Sequence, residues 1–169
     1  MKNILFVLLF AFGFASLLNA QSRKERKAMY DSKFNYEIQS LGVGQDGTKL
    51  LKVWGYGKKP QDALFEAKKN TVAAVIFRGI PAGNGAASTP PILSVDGYEK
   101  HMDFFDDFFK AGGMYLSFVN VTTDGIPGGA DRVKMKKGYK VNLSASVNHT
   151  ALRKYLEEKG IAKKMDAGF

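Results

Sequence analysis

Apolar and polar positions alternate with two different periods along this chain, and the switches between them outline the fold. Phe34, Tyr36 and Ile38 alternate with Asn35, Glu37 and Gln39, which predicts a half-buried strand. Gly44-Gln45-Asp46-Gly47-Thr48 supplies turn chemistry, and Leu51, Val53 and Gly55 then alternate with Lys52, Trp54 and Tyr56. Residues 34–57 therefore read as a hairpin. From Pro60 the period becomes helical through Arg78, with Ala63, Ala67, Asn70, Ala74 and Phe77 on one stripe. Those small residues allow a close approach to a sheet. Gly79 and Pro81 end the helix.

Residues 81–97 carry Pro81, Gly83, Gly85, Pro90 and Pro91 and read as a long loop. A second helix is expected over Tyr98–Lys110, with Asp96 as N-cap and Tyr98, Met102, Phe105 and Phe109 as its apolar stripe. Met114, Leu116 and Phe118, interleaved with Tyr115, Val119 and Val121, read as a third strand, and residues 123–129 as a hairpin loop. Residues 133–147 then alternate, with only Lys137 breaking the apolar face. Val133, Met135, Tyr139, Val141, Leu143, Ala145 and Val147 face one way, and Lys134, Lys136, Lys140, Asn142, Ser144 and Ser146 the other. Fully extended, that strand would run about 50 Å, too long for a small sheet, so a bend near Lys137-Gly138 or a projecting hairpin arm is expected. Asn148 or Thr150 opens a last helix that turns Leu152, Tyr155 and Leu156 inward and ends at Gly160, before a fraying tail at 161–169. The order predicts an α+β domain over 34–160: a four-stranded, largely antiparallel sheet of two hairpins, with two to three helices on one face.

The N-terminal end follows neither period. Lys2 precedes an uncharged apolar run from Ile4 to Leu18 that ends at Ala20, the layout of a secretory signal peptide cleaved between Ala20 and Gln21. The run is short of the roughly 20 residues that span a bilayer, so no transmembrane segment is expected after cleavage. Residues 21–33 read as a basic arm. Export by a bacterial cell to the periplasm or the medium is the expectation.

Composition narrows the chemistry. The chain of 169 residues has no cysteine, which excludes disulfides, thiol nucleophiles and the lipid attachment of a lipoprotein. It has two histidines and a net charge of +9. Loss of Lys2 with the leader leaves 24 basic and 16 acidic side chains, about +8. Glu99, Asp103 and Asp106 share a helix face, with Asp107 and His101 nearby, but that face lies opposite the aromatic stripe and reads as solvated rather than as a metal site. Gly42-x-Gly44 and Gly55-x-Gly57 lack the third glycine and acidic partner of a dinucleotide fingerprint. His149 reads as a capping neighbour, and Ser94, Ser117 and Ser144 have no nucleophile-elbow context. No catalytic, cofactor-binding or metal-ligating set is expected.

The lysines are the remaining signal. Lys134, Lys136 and Lys140 are expected on one strand face, joined by Lys58 and Lys59 and by Lys163-Lys164. They fit either a solubilising face or a contact for an anionic envelope surface or an envelope protein. Nucleic acid is disfavoured by export and by the lack of aromatic residues interleaved with the lysines.

Two stretches resemble a bacterial envelope group. Lys52-Val53-Trp54-Gly55-Tyr56-Gly57 followed by Ala63, Ala67, Asn70 and Ala74 is similar to the glycine-then-alanine-helix pattern of domains like the N-terminal domain of flagellar assembly protein T and its small lipoprotein relatives. Tyr139-Lys140-Val141-Asn142-Leu143, Val147-Asn148, Leu152-Arg153 and Leu156-Glu157 resemble the closing strand and helix of the same group. The likeness covers about residues 50–79 and 133–160. It implies an exported, non-enzymatic assembly or surface module, without the lipid anchor. The expected function is a non-catalytic binding or assembly module of the cell envelope. The alternatives are a basic binder of anionic envelope surfaces, or a ligand-binding or enzymatic domain with residues 81–97 as a lid over Trp54, Tyr98 and Phe105.

Overall fold

A computed structural model describes residues 37–164 apart from 45, 95, 123 and 124. The expected signal peptide with its Ala20–Gln21 cleavage site, the basic arm, residues 34–36 of the first hairpin and residues 165–169 of the tail lie outside the described residues.

The chain is α+β with an antiparallel sheet. Strands β1 (Ile38–Val43) and β2 (Lys49–Gly57) form the first hairpin. In its turn the Gly44 amide donates to the Thr48 carbonyl, and the Thr48 amide and hydroxyl both donate to Asp46 Oδ1. Strand β3 (Val119–Val121), β4 (Arg132–Met135) and β5 (Gly138–Val147) complete the sheet in the order β1-β2-β5-β3, with β4 also paired to β5. The sheet has five strands rather than four because the 133–147 stretch folds back on itself at Lys136-Lys137. Met135 pairs with Gly138, and Gly138 takes the positive φ of 139° that the turn requires.

Helix α1 (Pro60–Phe77) crosses the inner face of β2 and β5. Its approach is set by missing atoms. A Cβ on Gly55 would lie 2.2 Å from the Ala63 carbonyl oxygen and 2.3 Å from the Ala67 amide nitrogen, and one on Gly57 would lie 2.4 Å from the Ala63 nitrogen. The glycine pair and the alanines thus act together, as backbone against backbone. Asn70 reinforces the contact by donating Nδ2 to the Trp54 carbonyl at 3.4 Å. From Asn70 to Ile76 the helix is buried on every side, which explains why it is apolar all round from Val72 to Ile76.

The C-terminal end of α1 is closed by the 81–97 loop. The Gly79 amide (φ 80°) donates to the Ala74 carbonyl, the Ile92 amide to Val75 and the Leu93 amide to Ile76. These bonds satisfy carbonyls that a helix end leaves open. Ile80 bridges Thr89, and Asn84 Nδ2 donates to the Ser40 carbonyl. The loop is a cap pinned along its length.

The expected second helix is two pieces, α2 (Gly97–Lys100) and α3 (Met102–Phe108), broken at His101 (φ −131°, ψ 37°). The break turns Met102 outward, 46% exposed, so the buried stripe is Phe105, Phe108 and Phe109. Asp96 stands at the N-cap position, but its side chain takes Ser94 and Lys100 instead of a helix amide. Those two partners hold its carboxyl at about 2.

The expected strand from 114 is a 3₁₀ helix over Met114–Phe118, and only Val119–Val121 is extended. In a 3₁₀ helix residues three apart share a face, so Tyr115 and Phe118 go inside while Met114 and Leu116 stay exposed. Helix α4 (His149–Glu158) is capped by Asn148, whose Oδ1 accepts from the Ala151 amide at 2.9 Å. Leu152 and Leu156 are buried. Beyond Gly160 (φ 70°) the tail does not fray at once: Ala162 is buried and Ile161 packs on the core.

Candidate functional site

Strand register decides where each expected lysine stands. Directly opposed residues of an antiparallel pair share a face. Val133 opposes Lys140 and Lys134 opposes Tyr139, so Lys134 and Lys140 are on opposite faces of the β4–β5 hairpin. Lys136 is in the turn. The single face of Lys134, Lys136 and Lys140 expected from alternation does not form.

Lys140 is also not a free cation. Its Nζ lies 2.7 Å from Glu37 Oε1, 4.6 Å from the centroid of the Trp54 ring and 5.6 Å from that of Tyr56. The Tyr56 hydroxyl donates to the same carboxylate. Partial burial pushes the Glu37 carboxyl up, but the hydrogen bonds from Lys140 and Tyr56 outweigh it and hold it below its ordinary value. A second charged set lies beside this one on the outer face. Asp131 accepts Asn142 Nδ2 at 3.0 Å and stands 3.5 Å from Lys52 Nζ. Asn142 is 2% exposed, and its Oδ1 has no partner among the described residues.

Of the other expected lysines, Lys58 and Lys59 are brought to the turn, whereas among the described residues no contact joins the exposed Lys163 and Lys164 to them. Gly57 pairs with Tyr139, so Lys58 and Lys59 leave β2 beside the β4–β5 turn. Lys58, Lys59, Lys134, Lys136 and Lys137 thus gather at one end of the sheet, all exposed, with Arg132 just inside on β4. None of the six is in an ion pair among the described residues. The nearest carboxylate by sequence, Asp62, accepts the Lys59 amide and closes the start of α1. Arg132 was not legible as part of the group because the strand was expected to begin at Val133. Its basic neighbourhood in sequence was the available signal.

The remaining candidates separate. Glu99, Asp103, Asp106 and Asp107 are exposed on α2 and α3, and no group of three potential metal ligands converges among the described residues. Trp54, Tyr98 and Phe105 do not line one pocket. Trp54 faces outward between Val53 and Gly55, whereas Phe105 is fully buried with its ring 4.9 Å from Phe77. A groove of about 470 Å³ runs between Ile38 and the Arg78–Pro91 segment, lined by Arg78, Ile80, Ser88, Thr89 and three prolines.

His149 opens α4 half-buried, with Nε2 enclosed and unpartnered among the described residues. Burial pushes its pKa below the ordinary 6.5, with Lys49 and Arg153 adding to the effect. The folded chain therefore favours neutral imidazole, while the unfolded chain takes up a proton near 6.5. The stabilising contribution is complete above that value and is lost as pH falls through the lowered folded value. The thermal midpoint is expected to drop between about pH 7.5 and pH 5, and His149→Gln to flatten that part of the profile. An unchanged slope in the variant would assign the pH dependence elsewhere.

The class this geometry defines is an α+β domain with one helix-covered sheet face and a cationic sheet end. The chain matches no family model, no curated protein and no solved structure in the comparisons.

Proposed function

We propose that this is an exported bacterial envelope protein that acts by non-covalent binding or assembly, with the basic end of the sheet as its contact surface for an anionic partner. The observation that carries this reading is the gathering of exposed Lys58, Lys59, Lys134, Lys136 and Lys137, unpaired among the described residues, from two separate chain segments. Lysines that served only solubility need no common location. Like charges at one end cost self-repulsion, which a facing anionic surface would offset. The leader-like N-terminus and the resemblance to exported assembly domains support the compartment.

The test is sedimentation of the chain with isolated bacterial envelopes at low and high salt. Co-sedimentation is expected at low salt, and it should fall in Lys136→Gln/Lys137→Gln and weaken in high salt. Equal sedimentation of both forms would overturn the basic end as the contact surface. Reproducible turnover in a broad hydrolase panel, abolished by one point substitution, would overturn the non-catalytic reading.

A further inference from the structure

We infer that the partner of the basic end is the phosphate-bearing surface of an anionic lipid bilayer, an assignment that rests on the binding reading above. Two observations select it. The lysines sit on four-carbon stems around a two-residue turn and a strand exit, with no acceptor among the described residues, and they line neither the Ile38–Pro91 groove nor the smaller one beside Trp54. Such a site has a field but no shape. It suits a partner that presents many phosphates and asks for no fixed geometry. A stereospecific ligand would need convergent polar groups in a concave site.

Of the aromatic rings near the site, Tyr56 is 8% exposed with its hydroxyl on Glu37, the Trp54 ring carries Lys140, and Tyr139, opposed to Lys134, is half-buried against the core. Stacking on sugars or unpaired bases calls for a ring presented to solvent, and these three are taken up by the fold. The start of α1 takes no part, because Asp62 already accepts there.

The experiment is flotation of the full chain with phosphatidylglycerol–phosphatidylcholine vesicles and with pure phosphatidylcholine vesicles, at low and high salt. The apolar N-terminal run is common to every variant, so the readout is the difference between lipid compositions. The chain should prefer the anionic vesicles. Lys58→Gln/Lys59→Gln/Lys136→Gln/Lys137→Gln should weaken that partitioning at least tenfold, since each lysine near such a surface contributes roughly a fivefold factor. The matching Lys→Arg variant should keep it, because charge is retained, and Lys154→Gln on α4 should leave it unchanged. Circular dichroism melts check that the exposed substitutions leave the fold intact.

Absence of a preference for anionic vesicles, or an equal preference in the glutamine variant, overturns the lipid assignment. So does capture on immobilised heparin that survives higher salt than vesicle binding does, which would make a soluble polyanion the partner. Charge-dependent envelope sedimentation without vesicle binding would sink the lipid assignment alone. Loss of both would sink the binding reading with it.

Discussion

Gly55→Ala is expected to destabilise the chain by more than about 3 kcal/mol, at or beyond the upper end of what overpacking usually costs. The new Cβ would fall 2.2 Å from the Ala63 carbonyl oxygen, 2.3 Å from the Ala67 nitrogen and 2.8 Å from the Ala67 Cα. All three are backbone atoms of α1, so no side chain can swing aside. Relief requires the helix to lift off β2 by about an ångström, and α1 is buried along most of its length. A domain of this size has about 5–15 kcal/mol in total. Urea unfolding should show a large fall in midpoint, or no folded baseline at all. Gly128→Ala is the control: nothing stands within 4 Å of its added Cβ and its φ is −115°, so its midpoint should hold. Equal effects at the two positions would mean that the close approach of helix and sheet is not what holds them together.

Phe105→Ala is expected to cost about 3–5 kcal/mol, the range for emptying a fully buried phenylalanine site. Phe105 is 0% exposed, with its ring 4.9 Å from Phe77, 5.1 Å from Phe104 and 6.0 Å from both Phe109 and Tyr98. It therefore joins the end of α1 to α2 and α3. The short helices have little stability of their own, since seven residues are too few for an isolated helix in water. Losing the ring removes what holds them. Phe65→Ala, 51% exposed on α1, should shift the midpoint far less. A comparable loss at both positions would place the core elsewhere than in the aromatic cluster.

These two predictions differ in how far their cause could be read beforehand. The Gly55-x-Gly57 turn and the alanine stripe pointed to a helix close against a sheet, because small residues at three- and four-residue spacing have few other uses. The break at His101 and the outward turn of Met102 were not legible. An apolar stripe written as Tyr98, Met102, Phe105 and Phe109 fits one helix as well as two. Met114, Leu116 and Phe118 alternate like a strand, yet the buried pair is Tyr115 and Phe118. Short apolar runs satisfy both periods, and only the partner surface selects one.

The lysines show the same limit. Within one continuous strand, Lys134, Lys136 and Lys140 share parity and so share a face. The turn at Lys136-Lys137 pairs even positions with odd ones, Lys134 with Tyr139, and moves Lys140 to the opposite face. The turn falls where the bend near Lys137-Gly138 was expected, with the positive φ on Gly138; what spacing did not carry is the register across it. Lys140 then meets Glu37, 103 positions away in the chain, a contact no local pattern encodes.

Local pattern was enough to establish the α+β class, the first hairpin and the long helix, and to narrow the last cap to Asn148 or Thr150, because each depends on spacing and turn chemistry within about twenty residues. Tertiary structure alone decided which lysines are neutralised and which stand together. Strand register and chain reversal set those distances, and both are determined by the whole sheet closing on α1.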